Sequence, residues 1–173
     1  MRILSIKKCV ISDGPGIRLS IYCSGCELHC VGCHNQNSWD FNLGVGYNAE
    51  DKTILDDLFK ELSHDYYRGL TLCGGEPLHK NNVDGFLDIV KKVKENLPNK
   101  DIWCYTGYEW EQVKDLEIMQ YIDVAVVGPF ILGQRDISDD NRWRGSRNQR
   151  VIDVKASLAA GKRVYLPGIP NNS

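Results

Sequence analysis

Cys26, Cys30 and Cys33 stand in the run Cys26-Glu-Leu-His-Cys30-Val-Gly-Cys33, a CxxxCxxC spacing, and Cys23 precedes it by three residues. Thiolates on so short a loop can converge on one centre. Three of them can hold three iron atoms of a [4Fe-4S] cube and leave the fourth open to an exchangeable ligand. Four would favour a closed electron-transfer cluster or a structural zinc site, so the part taken by Cys23 decides between chemistries that spacing alone leaves open. Four of the seven cysteines fall within 11 residues, and the odd total together with the lack of an export signal argues against a secreted disulfide framework. Cys9, Cys73 and Cys104 are scattered and read as small buried hydrophobes. His29 lies within the motif and His34 follows it, and both read as loop residues beside the site, not as ligands.

Gly74-Gly75-Glu76-Pro77 is the second chemical feature. Two residues without Cβ bring backbone polar groups close to a ligand, Pro77 stiffens the exit, and Glu76 offers a carboxylate to an ammonium or to nearby backbone N–H groups. Asp13-Gly14-Pro15-Gly16 makes a turn with or without a ligand. Arg18 serves either that face or a peripheral ion pair. Beyond Pro129, Arg135, Arg142, Arg144, Arg147 and Arg150 are interspersed with Asp136, Asp139 and Asp140. The segment from Gly128 to Gln149, in round terms 128–150, is a candidate partner-binding surface. Phe130 and Trp143 are its anchors and Arg142, Arg144 and Arg147 its polar rim; the alternative is a solvated surface with Trp143 closing the sheet edge.

These residues need a scaffold, and the pattern around them supplies one. Arg2 to Ile6 and Ile17 to Tyr22 read as strands joined by the Ser12-to-Gly16 turn. Cys23 to Asn48 has no helical period and reads as a long loop that a ligated cluster would organise. Ile54, Leu55, Leu58, Phe59 and Leu62 place one apolar stripe on a helix over Lys52 to Leu62. Gly69 to Cys73 reads as a buried strand, Phe86 to Leu97 as a helix closed by Pro98, and Ile102 to Tyr105 as a strand. A helix over Glu109 to Leu116, a strand over Ile122 to Val127, a strand over Arg150 to Val154 and a helical turn at Ser157 to Ala160 follow. Pro167 to Ser173 reads as a loose tail. Strand and helix alternate, which predicts an α/β fold with a mostly parallel sheet. Open sheet and partial barrel remain equal on pattern alone.

With 173 residues the chain fits a single domain spanning 1–173. Its 21 Lys and Arg against 23 Asp and Glu give no excess positive charge for nucleic acid to recognise. The start MRILSIKKC has no cleavable apolar leader, and no stretch reaches 18 uninterrupted apolar residues, so a cytoplasmic protein without a membrane span is expected.

The CxxxCxxC run resembles the signature of radical S-adenosylmethionine enzymes. Asp13-Gly-Pro-Gly-Ile-Arg18, Ser24-Gly-Cys26, Cys33-His-Asn-Gln-Asn-Ser-Trp39 and Gly74-Gly-Glu-Pro-Leu78 resemble, in that order, the activating enzymes of anaerobic ribonucleoside-triphosphate reductase. Ile122-Asp-Val-Ala-Val-Val-Gly-Pro-Phe130 and Trp143-Arg-Gly-Ser-Arg-Asn-Gln149 resemble the same family's downstream segments, so the likeness covers about residues 1 to 155. His34 departs from the pattern, standing where radical enzymes of this kind often carry an aromatic residue.

The resemblance implies a compact partial (β/α) barrel of the radical S-adenosylmethionine type, with a cluster loop at about 23–48. It implies Cys26, Cys30 and Cys33 as the ligands of a [4Fe-4S] cluster, S-adenosyl-L-methionine on the open iron, and Gly74, Gly75, Glu76 and Pro77 against that cofactor. The activity implied is reductive cleavage of S-adenosylmethionine and hydrogen abstraction from a glycine of the reductase. An external low-potential electron donor, with flavodoxin as the candidate, is implied as well. The competing readings are activation of another glycyl-radical enzyme, such as a formate lyase, and a non-enzymatic iron-sulfur or zinc module with Cys23 as fourth ligand.

Overall fold

The computed structural model describes residues 1–50, 52–138 and 142–169. Asp139 and Asp140 of the distal segment and the tail end at 170–173 lie outside the described residues.

Strand β1 (Arg2–Val10) and β2 (Ile17–Cys23) form an antiparallel hairpin across the Ser12-to-Gly16 turn. The cysteine loop follows and holds a single turn of 3-10 helix at Gln36–Ser38 and the two-residue strand β3 (Val45–Gly46), which pairs with β1. Helix α1 (Lys52–Leu62) has the predicted bounds and buries Leu55, Leu58 and Leu62. Then come β4 (Tyr67–Gly74), α2 (Val83–Asn96), β5 (Asp101–Tyr105), the short α3 (Trp110–Val113), β6 (Val124–Val127), β7 (Arg150–Asp153) and α4 (Val154–Ala160). Helix α3 is shorter than expected. Leu116 leaves the helical region, and a 3-10 turn at Glu117–Gln120 drops Ile118 and Met119 into the core.

Among the described residues seven strands make one sheet in the order β3-β1-β2-β4-β5-β6-β7. The expectation of a mostly parallel sheet is corrected: β2, β4, β5 and β6 run parallel, while β1, β3 and β7 pair antiparallel with their neighbours. The connection from β1 to β2 is too short for a crossover, so that pair can only form a hairpin. The parallel neighbours are joined by connections that carry a helix, while β6 and β7 are antiparallel despite a long connection.

Strand register gives the sheet two different faces. Ile21, Leu72, Cys104 and Ala125 lie side by side, as do Leu19, Leu70 and Ile102, and all are buried beneath the helices with Phe86, Ile89, Val90 and Val93 of α2. Each such aliphatic side chain contributes about 1.5–3 kcal/mol as an upper bound. The opposite face carries Ser20, Thr71, Trp103 and Val124 in one row, with Tyr22 beside Cys73 in the next. Its apolar part is a small cluster of Trp103, Val124, Val126 and Val151, covered by Trp143, Leu166 and Ile169. Above that cluster the face is polar. No helix among the described residues is long and apolar enough to cross a membrane.

Candidate active site

Parallel strands end together, and the loops leaving them enclose a cavity of about 520 Å³. Cys26, Cys30 and Cys33 border it from the loop after β2; Gly74, Gly75 and Glu76 border it from the exit of β4; Thr106 and Gly107 follow β5 and Gly128 follows β6. The three cysteines predicted as ligands therefore share one cavity with three of the four residues predicted to meet the cofactor. Pro77 is buried but does not border the cavity.

Backbone hydrogen bonds hold the cysteine loop to the sheet. Gly75 N–H donates to Cys23 O (2.8 Å), Glu76 N–H to Gly25 O (2.9 Å), Gly25 N–H to Ser38 O (2.7 Å) and Cys26 N–H to Trp39 O (3.1 Å). Gly75 has to be glycine for this approach, since a Cβ there would sit 2.4 Å from Gly25 O and 2.9 Å from Ser38 O. Gly74 adopts φ 120°, and its Cβ would meet Cys23 N at 2.3 Å. Asn82, at the start of α2, is buried, and its Nδ2 donates to Ser24 O (3.0 Å) and Glu76 O (3.0 Å) and points at Cys23 Sγ (3.6 Å). Sequence reasoning missed it, because nothing in its neighbourhood announces contacts to a loop more than 50 residues away.

The cysteines differ in surroundings. Cys26 is buried, which pushes its thiol up, an effect that the backbone amides of Leu28 and His29 oppose. Cys30 and Cys33 are half-buried, and Asn35 N–H donates to Cys33 Sγ at 3.4 Å. Cys23 lies fully buried in the helix-side core, where burial raises its thiol strongly. Among the described residues no three His, Cys, Asp or Glu side chains converge on a single-ion site. His29 meets the Trp39 ring edge to face at 4.7 Å. His34 borders the cavity. Cys73 and Cys104 are buried as expected. Cys9 is exposed, which corrects its reading as a buried hydrophobe: it sits at the end of β1 with φ 53° and its N–H donates to the Tyr67 hydroxyl.

Glu76 is fully enclosed. Its Oε1 accepts from Thr106 Oγ1 (2.7 Å) and Leu78 N–H (3.0 Å), and its Oε2 accepts from Gly107 N–H (2.8 Å). Burial outweighs these donors and pushes its carboxyl up to about 7. Two carboxylate oxygens offer about four lone pairs, so Oε2 can still accept one more donor. A second polar group borders the same cavity. Asp13 Oδ2 accepts from the Tyr22 hydroxyl (2.6 Å), Cys73 Sγ lies 3.8 Å away, and the buried Tyr105 hydroxyl has no hydrogen-bond partner among the described residues. Arg18 is a buried pin: it pairs with Asp101 (2.7 Å) and donates to Thr71 Oγ1 (2.5 Å) and Leu70 O (2.8 Å).

Described residues from both ends of the distal segment border the cavity. Gln149 ties its two ends together, donating to Gly128 O (2.9 Å) and accepting from Gly145 N–H (2.7 Å), while Asn148 donates to Pro129 O (2.7 Å). Phe130, Trp143 and Arg144 border the cavity, with Arg144 buried; Arg142 and Arg147 are exposed.

The family described as a 4Fe-4S single cluster domain matches residues 12–152. The chain is 36% identical over 146 residues to the anaerobic ribonucleoside-triphosphate reductase-activating protein of Enterobacteria phage T4, covering 84% of this chain and 90% of that one. It is 41% identical over 143 residues to the protein of the same name from Vibrio cholerae serotype O1, with 80% and 89% covered. The corresponding figures for the Escherichia coli K12 protein of that name are 35% over 150 residues, with 84% and 94% covered.

Proposed function

Because the chain belongs to the family of anaerobic ribonucleoside-triphosphate reductase-activating proteins, we propose that it activates that reductase by generating a radical on one of the reductase's glycines. The observation that carries this reading is the meeting of Cys26, Cys30 and Cys33 in one cavity with Gly74, Gly75 and Glu76, while Cys23 turns to the opposite face of the sheet.

The residues suit a site-differentiated [4Fe-4S] cluster. Three thiol-bearing residues of one loop and a carboxylate with a lone pair to spare border one cavity, and the fourth cysteine is committed to the core. Cys26, Cys30 and Cys33 would hold the cluster, which supplies the electron that cleaves S-adenosylmethionine to methionine and a 5′-deoxyadenosyl radical, the species that takes hydrogen from the partner glycine. Glu76, held by Thr106, Leu78 and Gly107, would accept the cosubstrate's ammonium. Gly74 and Gly75 admit the methionine portion against bare backbone, and Pro77 stiffens the exit behind them. Trp143, Phe130 and Arg144 roof the cavity and exclude water from the reacting end. The helices on one face and the polar cavity on the other support the partial (β/α) barrel of radical S-adenosylmethionine enzymes. A low-potential donor such as flavodoxin, acting in the reducing cytoplasm, supplies the electron.

The test is anaerobic reconstitution of the cluster, addition of S-adenosylmethionine, reductant and reductase, and electron paramagnetic resonance of the reductase. A glycyl-radical signal is expected. A well-loaded, reducible cluster that neither binds nor cleaves S-adenosylmethionine would overturn the reading.

A further inference from the structure

Phe130 and Trp143, the aromatic pair expected to anchor a partner, border the cavity and are half-buried. The apolar side chains left in solvent around the mouth are different ones. Ile137 stands at the mouth and is 90% exposed; Ile11, next to the cavity-lining Ser12, is 73% exposed; Val31, next to the cavity-lining Gly32, is 77% exposed. Leu132 lies over Gly32, close enough that a Cβ there would meet its methyl at 2.9 Å, and is still 48% exposed. Three segments that border the cavity thus carry exposed aliphatic side chains on or beside cavity-lining residues, and exposed apolar groups near an active-site mouth mark a surface that a protein covers.

We propose that Ile11, Val31, Leu132 and Ile137 form the docking ring for the glycine-bearing segment of the reductase. This rests on the function proposed above: a macromolecular substrate must bring one backbone carbon into a cavity too small for a folded domain, so a segment enters while the surface around it seats on the rim. An aliphatic ring seals that seat against water. Arg135, exposed at the same mouth, adds a cation for a carbonyl or carboxylate of the incoming chain.

The test uses the full chain with its cluster reconstituted, as wild type, as the double variant Ile11→Asp/Ile137→Asp, as the uncharged pair Ile11→Ser/Ile137→Ser, and as Leu158→Asp on α4 as a surface control. Iron and sulfide content, together with 5′-deoxyadenosine formed with reductant and no reductase, should be equal in all four. Reductase affinity and glycyl-radical yield should fall at least about tenfold in the Asp pair, less in the Ser pair, and not at all in the control. Wild-type yield from the Asp pair overturns the ring. A loss of self-association with capture of the reductase intact assigns the ring to a second copy of this chain and equally overturns it. Failure of the wild type itself to form a glycyl radical would instead strike the proposed function.

Discussion

Cys23 and Cys26 are three residues apart, yet one is sealed under the helices and the other borders the cavity. That divergence predicts unequal substitutions. Cys26→Ala, Cys30→Ala or Cys33→Ala should each lose most of the iron and all productive cofactor cleavage. Cys23→Ala should keep its iron and sulfide and cost about 1 kcal/mol of stability for a small buried side chain; iron analysis and urea unfolding separate the two outcomes, and loss of the cluster in Cys23→Ala would restore a four-ligand site. Glu76 carries a pH prediction. Its folded carboxyl is raised to about 7 from an ordinary 4.5, so the folded state holds a proton that the unfolded state releases, and its contribution to stability falls as pH rises through that window. Glu76→Gln removes the titration, so as pH rises from about 4.5 to about 7 the wild type should lose stability relative to the variant, with little further change above that; a difference in unfolding midpoints independent of pH would show that Glu76 ionises normally. The cysteine ligand candidates were legible because their spacing is local. Asn82 and Tyr105 were not, since what singles them out is a hydrogen bond, made or missing, set by strands distant in sequence. Cys9 was misread because composition favours burial of cysteine but cannot see that β1 ends at the sheet's rim.

At the scale of elements, the cysteine loop depends on the exit of β4 more than on its own residues. Gly75→Ala drives a methyl into two backbone carbonyls, those of Gly25 and Ser38, neither of which can move without shifting Cys26. The variant should fold, because the clash lies outside the helix-side core, but should bind iron several-fold more weakly; full cluster loading would refute the coupling. Asn82→Ala leaves the Ser24 and Glu76 carbonyls without a buried donor and should cost about 1–3 kcal/mol, read by urea unfolding. Periodicity placed α1 to the residue and came within a few residues of α2, β4 and β5, because strong apolar stripes and alternations leave little choice of face. It missed β3, whose two residues are too few for any period, and it overextended α3, where burial of Ile118 and Met119 overrides helix propensity. Strand direction was legible where a helix intervenes or where the connection is too short to cross over. The antiparallel β7 follows the long distal segment, whose path is set by Gln149 and Asn148, not by any repeating pattern.

The whole molecule is a sheet with unequal faces, and stability and chemistry are divided between them. The helix-side face holds the large continuous core. The other face holds the polar cavity above and, below it, a small apolar floor of Trp103, Val124, Val126 and Val151, against which Tyr105, Trp143 and, from the segment after α4, Leu166 and Ile169 pack. That segment is anchored by backbone: Leu166 N–H donates to Val151 O (2.9 Å) and Asp153 N–H to Val164 O (3.0 Å), which also covers the outer edge of β7. A carboxylate placed on the floor would face desolvation without a partner, and the cheaper response is for the segment to lift. Leu166→Asp should therefore open the floor while leaving the main core folded. The expected signature is a rise in binding of an apolar dye and a change in tryptophan emission from Trp103 and Trp143, with far-ultraviolet dichroism nearly unchanged and a loss of about 1–3 kcal/mol in urea. Because the floor supports the roof through the ring pair Trp103 and Trp143, 6.1 Å apart, cofactor cleavage should also become less coupled to radical transfer. Complete unfolding of Leu166→Asp would mean that the two faces are one cooperative unit. An unchanged dye response would mean that the floor is sealed by Trp143 alone.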